Sequence, residues 1–586
     1  MRATPARLAT LLAFGVVLLY VRTLSWGFVW DDAFFIADAP SVVQGAPLSD
    51  YFLKTHTTSS RDDYNARIYR PLRQLTFRAT AVVAGRSPLP FRMVCLASYA
   101  LSVVLVFYLL LRLTERLNVA AWTAAVWAVL PVHVEVAAFS SATADTLSLN
   151  LELAAILVVL AMLRGHTGTL TTALASSALL LFSMLAKEMA MTAFVLVAWM
   201  LHLLQHRTRR ELTVVASMGV TTLGYLVLRT LVLRRVGQED FSADTFWSGL
   251  ATAPVLVIYY LKLMVMPIGH HLGYVIPDRT PVVVTLSVLG VLTVAAVAWL
   301  ADRRMSQHRF RLGFGWLLIS LLPVLHLVPL WTFLADRFAL LPSVGLAIVF
   351  AALAGLLHER YPRATPLGLV LLIVFYTGGT LAEQSKWESD EALYTHDVRS
   401  SPRSDMAQTN YCTLMLELGD AEKALQACDA ALALGEDTAS VNRRRAIALE
   451  LLGRFAEAET AVARAMQQNP SEPGVHAFRG GLALRLGSVQ RAREFLALAQ
   501  QKEPEHPPTL LLQGRIAVVD RDVAAAKKAF FELLRRHSNV ARFHYMAGQA
   551  ALELGDRGWA QDEARACQAL EPESVHCREL LKAMEN

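Results

Sequence analysis

The chain has 586 residues, 54% of them hydrophobic and 18% charged, with a mean hydropathy of +0.40. That balance is too apolar for a soluble protein and requires one embedded in a membrane. The net charge of +6 does not call for a nucleic-acid partner, because the Lys and Arg excess sits in short loops, where it orients spans.

Twelve apolar segments are candidate spans, near 8–24, 90–111, 119–138, 146–163, 170–186, 189–204, 212–233, 250–267, 282–300, 312–330, 338–357 and 366–382. Arg2 and Arg7 precede the first in the manner of a signal peptide, but no small-residue cleavage site precedes Trp26, so it reads as an uncleaved span. Basic loops at Arg112–Arg116, His206–Arg210, Arg303–Arg311 and His358–Arg363 are cytoplasmic by the positive-inside rule. Three segments lie between the second and third of these loops, where an even number of crossings is required. The segment at 250–267, flanked by Arg234 and Arg235 and by Pro267, Gly269, His270 and His271, is therefore expected to be re-entrant or interfacial. Eleven crossings remain, which put the N-terminus inside and both the 25–89 loop and the C-terminal polar part outside. Residues 1–383 read as a membrane domain, 384–403 as a linker and 404–586 as a second domain.

The second domain shows its fold by period. Gly419, Gly453, Gly487 and Gly555 are spaced by 34 residues or a multiple of it, Arg521 fills the missing slot, and an alanine follows five positions later each time: Ala424, Ala458, Ala492, Ala526 and Ala560. Pro470, Pro504 and Pro572 end repeats. The pattern resembles the tetratricopeptide repeat, with five units over about 404–572 and a capping helix from Ser574 to Met584. This predicts an α-solenoid whose concave groove binds an extended peptide or a partner protein, or one that serves as a spacer or dimerisation arm. By repeat register Cys412 faces Cys428, and Cys567 is similarly placed to Cys577, so two disulfides staple the ends of the array if the compartment is oxidising. Otherwise these are small buried residues standing in for alanine. Cys95, inside a span, is a packing residue.

Ionisable residues gather on the outer side of the membrane domain, where they are functional candidates. Asp31 and Asp32 follow Trp30 just past the first span. His133 and Glu135 end the third segment, and Asp145 begins the next. Lys187 with Glu188 join the fifth and sixth segments, and Asp336 with Arg337 begin the eleventh. In the 25–89 loop, Arg61–Arg78 forms a basic amphipathic stretch containing Tyr69, Arg70, Pro71, Leu72 and Arg73, suited to lipid phosphate. Any one of these is as readily a satisfied structural contact, and Asp31 and Asp32 alone are as readily loop residues; five outward clusters together point to chemistry.

In this order, Asp31 with Asp32, Tyr69–Leu72, Pro131–Glu135, Lys187 with Glu188, and ADRFALLPSVG from Ala335 to Gly345, followed by repeats, the chain resembles the transmembrane and tetratricopeptide-repeat-containing O-mannosyltransferases, which are GT-C glycosyltransferases. The resemblance spans essentially the whole chain. It implies an all-α, polytopic enzyme that takes a sugar, mannose or another hexose, from a polyprenyl-phosphate donor and gives it to a Ser or Thr hydroxyl of an extracytoplasmic protein, with a glycan or lipid as the alternative acceptor. Short loops and the Ala and Arg bias look bacterial, which implies an inner membrane with the repeats in the periplasm. Under this reading Arg337 and Lys187, assisted by Arg70 or Arg73, meet the donor phosphate, and Asp31 or Asp32 accepts the acceptor proton. His133, Glu135, Asp145, Glu188, Asp336 and Tyr69 are acceptor contacts or supports. A single displacement inverts the sugar carbon. Some similar enzymes use Mg²⁺ or Mn²⁺ and others need none, so no metal ligand is assigned. The chain departs from the family at Thr143, where Arg is usual, at His326, where Asn is common, and after Pro267, where the usual acidic residue is missing. A membrane-tethered repeat scaffold remains the non-catalytic alternative; a transporter would show paired repeats with broken helices, which are not seen.

Overall fold

The computed structural model describes residues 4–585 except 61–64, 66, 236–241, 276–279, 306–307, 331, 470–473, 503, 538–539 and 572–573. The sequence features at Arg61, Pro470 and Pro572 lie outside the described residues. Every regular element among the described residues is helical, and the chain divides into two compact units, Met1–Ser401 and Pro402–Asn586.

In the first unit, nine helices among the described residues are long and apolar enough to cross a membrane, beginning with Pro5–Ser25 and ending with Ala364–Trp387. A tenth is obtained if Leu117–Ala128 and Pro131–Ala138, which meet at a 62° bend, count as one span. Two departures from the sequence reading follow. The segment expected to be re-entrant lies in one continuous helix, Ala243–Val265, of 23 residues; at 1.5 Å per residue it is long enough to span, and Pro254 within it does not break it. Conversely, the apolar runs at 189–204 and 312–330 do not yield full spans. They form a helix over Glu188–Leu203 and a 13-residue helix over Arg309–Leu321. Hydrophobicity alone cannot separate a short buried helix from a lipid-facing one. Ser140–Leu163 and Asp336–Arg360 are the most buried spans, whereas Pro281–Arg303 is nearly all on the outside, with Leu286, Leu289, Leu292, Val297 and Leu300 exposed, as lipid contact requires.

Close packing in the core uses glycine. A β-carbon on Gly313 would lie 2.6 Å from the Gly345 carbonyl oxygen, so the Arg309–Leu321 and Leu340–Arg360 helices touch backbone to backbone where Gly345 closes the ADRFALLPSVG stretch. The 25–89 loop is ordered by its own small core of Phe35, Ile36, Ala39, Val42, Ile68 and Phe77, which packs on Phe91 of the Pro88–Thr114 helix.

The second unit contains five antiparallel helix pairs, from Asp405–Glu417 with Ala421–Ala433 to Ala541–Glu553 with Arg557–Leu570, and a final helix Val575–Glu585. The five periodic alanines are fully buried, where only a methyl fits between paired helices. Each periodic glycine has a positive φ, between 74° and 79°, and ends the first helix of its pair in the left-handed conformation. The next residue often caps the second helix: Asp420, Asp522 and Asp556 each accept a backbone N–H three residues on. Cys412 is disulfide-bonded to Cys428 and Cys567 to Cys577, with Cα separations of 5.4 and 5.6 Å. One bridge joins the two helices of the first pair, and the other ties the last pair to the final helix. Arg521 occupies the glycine slot with φ 60°, a conformation that costs an L-residue about 1 kcal/mol. Arg521→Gly is expected to stabilise the protein by about 1 kcal/mol, less whatever is lost with the Arg521 Nη1 bond to the Glu553 carbonyl; thermal unfolding of the disulfide-intact protein checks the direction.

Candidate active site

Trp30 anchors the first acidic pair. Its φ is 54°, uncommon for a bulky residue, and the turn is held by the Trp30 N–H donating to Asp390 at 2.7 Å. The indole lies 5.2 Å from the Phe139 ring, and its face meets the Arg337 guanidinium at 5.4 Å. A turn of π-helix over Ala33–Ala37 follows, so Asp31 and Asp32 leave the backbone in different environments.

Asp32 is fully buried, with both carboxylate oxygens engaged. One carboxylate oxygen accepts both the N–H and the hydroxyl of Ser141 at 2.7 Å, and the other accepts the Val29 N–H at 3.4 Å. Arg92 is close by in charge and itself donates to the carbonyls of Trp26 at 3.0 Å and Ala138 at 2.6 Å. Asp32 and Arg92 thus hold the first loop against the Ser140 turn. Burial pushes the Asp32 carboxyl up to about 6, with the Ser141 bonds and Arg92 opposing the rise. Asp31 instead interacts electrostatically with Arg337 and Arg73, which puts it beside the cationic cluster.

That cluster is built from three ion pairs on separate elements. Arg70 grips Glu188 in a bidentate pair at 2.9 and 2.7 Å, Lys187 bonds Asp145, and Arg337 bonds Glu135 through its guanidinium and through its backbone N–H, the latter at 2.9 Å. Lys187 and Glu188 are adjacent yet face opposite partners, and so link the first loop to the Thr143–Leu163 helix. Lys187 also feels the charges of both Arg70 and Arg337. A cavity of about 20 Å³ opens between Lys187, Asp145, Ser148, Glu152, Ser320 and Arg337, space for about one water.

Several candidates are engaged elsewhere. Arg73 stacks 4.0 Å over Phe35 and donates to the Thr58 carbonyl and to Gln74, bracing the loop. Tyr69 donates to the Phe52 carbonyl at 2.9 Å. The two ring nitrogens of His133 sit 3.0 Å from the Tyr99 hydroxyl and 2.9 Å from the Ser343 hydroxyl, in a buried polar lock. Asp336 accepts from Tyr274 and lies 2.9 Å from His270 Nδ1. The other His270 nitrogen is 3.2 Å from the Met266 carbonyl. Both partners are acceptors, which favours the protonated ring, and the Asp336 charge outweighs burial and raises the affinity of His270 for its proton. Among the described residues no three His, Cys, Asp or Glu side chains gather as a metal site.

Sequence reasoning missed Arg92, Ser141, His270, Tyr274, Asp390 and Asp397. Asp397 accepts the backbone N–H groups of Leu272 and Gly273 at 2.9 and 3.0 Å, fixing the segment that carries His270 and Tyr274. Arg92, an arginine in the first turn of a span, was the one with a signal in the sequence.

Comparisons with known proteins bear on this arrangement. A tetratricopeptide repeat model matches residues 413–473, 443–507 and 511–569. The protein O-mannosyl-transferase TMTC1 of Homo sapiens is 25% identical over 485 residues, 72% of this chain and 54% of that protein. F38B6.6 of Caenorhabditis elegans is 22% identical over 70% of this chain and 60% of its own length, and Tmtc3 of Drosophila melanogaster 23% identical over 78% and 58%. Both carry the name protein O-mannosyl-transferase. Over about 70% of its length the chain is similar to proteins named protein O-mannosyl-transferase. It spans between half and two thirds of the length of these relatives, and the similarity agrees with the resemblance read from the motif order.

The sign of the Asp32 shift predicts a pH dependence. A carboxyl whose folded value lies above its unfolded one, near 3.9, keeps its proton in the folded protein after the unfolded chain has lost it, so stability falls as pH rises from about 4 to about 6. Asp32→Asn, which keeps an oxygen for Ser141, is expected to fold and to flatten the dependence of melting temperature on pH across that window. An unchanged slope contradicts the assignment.

Proposed function

We propose that the chain is a GT-C-type glycosyltransferase that moves a hexose, mannose by analogy with the names of its relatives, from a polyprenyl-phosphate donor to a Ser or Thr hydroxyl of a protein. The observation that carries this reading is the grouping of Asp31 with Arg337 beside the Arg70–Glu188 and Lys187–Asp145 pairs, on a chain similar to protein O-mannosyl-transferases.

The chemistry divides between a base and a set of cations. The acceptor hydroxyl oxygen attacks the anomeric carbon as the bond from that carbon to the phosphate oxygen breaks, and the bonding pair leaves on the polyprenyl phosphate. The hydroxyl proton passes to Asp31. The leaving phosphate gains negative charge, which Arg337, Lys187 and Arg70 stabilise. A bidentate pair occupies only two of the five N–H donors of a guanidinium, so Arg70 keeps donors for a phosphate oxygen while still paired to Glu188. The carboxylate partners hold the cations in place before the donor arrives, and preorganised charge of this kind is a large source of transition-state stabilisation. Attack opposite the phosphate inverts the sugar carbon. Asp32 is assigned to support, since its lone pairs already face Ser141 and Val29. The active face is extracytoplasmic, on a bacterial inner membrane, with the 25–89 loop and the repeats in the periplasm and the repeats capturing the acceptor.

The test is transfer followed by intact mass, using purified protein, polyprenyl-phosphate sugars and envelope protein. Asp31→Asn is expected to lower the rate by about 10²–10⁴-fold while the protein stays folded, and Asp32→Asn to lower it less. Full activity in Asp31→Asn removes the base assignment. Absence of transfer by the wild type with every donor, together with retained capture of envelope protein, replaces the enzyme with a tethered scaffold.

A further inference from the structure

The first helices of successive repeats enclose a cavity of about 400 Å³ between Ala439–Leu451, Val475–Arg485 and Pro507–Val519. Its apolar wall is made by Ile447, Phe478, Leu511 and Met546, one from each of four successive repeats. Two arginines, Arg443 and Arg515, also line it, and the acidic residue in the lining, Glu450, is paired with Arg485 at 2.6 Å. The half-buried Arg515 makes no ion pair and no hydrogen bond among the described residues; Arg485 adds positive charge around it, against which Glu450, itself paired to Arg485, and Glu553 act at longer range. A guanidinium held on a groove floor without an acceptor is poised for an anionic group.

Gly481 supports the same conclusion from a different direction. Glycine inside a helix costs about 1 kcal/mol relative to alanine, and packing explains the cost at its neighbour Gly480, where an added β-carbon would run into the Leu512 side chain. At Gly481 the same atom would meet only Arg515 Nη1 at 3.6 Å, an ordinary contact. No close approach requires glycine there. What its missing side chain does is leave open the space beside Arg515.

We infer that the Arg515–Gly481 pocket binds an acidic side chain of an extended segment in the acceptor protein, with an adjacent apolar side chain against Phe478 and Leu511. Gly481 and Arg515 lie in the third and fourth of the five helix pairs, away from both ends of the array, so an internal residue fits better than a chain end. The inference rests on the reading of the repeats as the acceptor-binding part.

The experiment uses the full-length protein in nanodiscs and end-blocked dodecapeptides of Ala, Ser and Thr carrying a central Glu-Phe, Gln-Phe or Lys-Phe, with affinity measured by calorimetry at two salt concentrations. The Glu-Phe peptide is expected to bind about tenfold more tightly than Gln-Phe, with the preference falling as salt rises. Arg515→Gln should remove that preference. Gly481→Leu should abolish binding by filling the pocket, whereas Gly481→Ala should keep binding and melt no lower than the wild type. Equal affinity for the Glu and Gln peptides, no binding of any peptide, or a preference that survives Arg515→Gln overturns the inference. Sugar transfer is measured on the same preparations: transfer without charge-selective binding removes this inference alone, and charge-selective binding without transfer removes the transferase reading alone.

Discussion

Burying charge is the constraint around which the first unit is built. An ion taken from water into protein at membrane depth carries a penalty of several kcal/mol unless a partner of opposite charge is held against it. Arg70, Lys187 and Arg337 are all buried or nearly so, and each meets a carboxylate: Glu188, Asp145 and Glu135. The partners come from distant parts of the chain, so neutralising each charge also fixes the relative positions of the first loop, the Thr143–Leu163 helix and the stretch around Asp336. Charge pairing thereby fixes the geometry of the cationic cluster.

The same constraint explains why two adjacent aspartates have different surroundings. Asp32 is turned inward to Ser141 and Val29 and lies near Arg92, and it fastens the loop. Asp31 lies within the fields of Arg337 and Arg73. The left-handed backbone at Trp30 and the π turn after it separate the two carboxylates, and the Asp390 bond to the Trp30 N–H holds that turn. Local strain of this kind persists only where surrounding contacts over-determine it. Here those contacts also include the Phe139 ring and the Arg337 cation over the indole.

The second unit follows a different logic. Repeating helix pairs bury a methyl at the same place five times and reverse direction through a left-handed residue, so its stability is spread along the array. Individuality appears in the cavity between the first helices of the repeats, where Arg515 and Gly481 depart from what packing alone would choose.

Much of this was legible in the sequence because it depends on period and composition. The repeat length, the alanine and glycine slots, the facing cysteines and the clusters of ionisable residues at the ends of apolar segments are all local or periodic signals. Span number was less legible: Ala243–Val265 runs as one helix, while the runs near 189–204 and 312–330 give shorter ones, because hydropathy does not record whether apolar surface meets lipid or protein. Composition could likewise list the charged candidates but not pair them. That Arg73 stacks on Phe35 while Arg70 reaches Glu188, that His133 is locked between Tyr99 and Ser343, and that Asp31 lies in the fields of Arg337 and Arg73 while Asp32 lies near Arg92 depend on the approach of residues far apart in the chain. The sequence by itself determined which residues must find partners, since buried charge cannot stand alone; only the tertiary structure decided which partners they found.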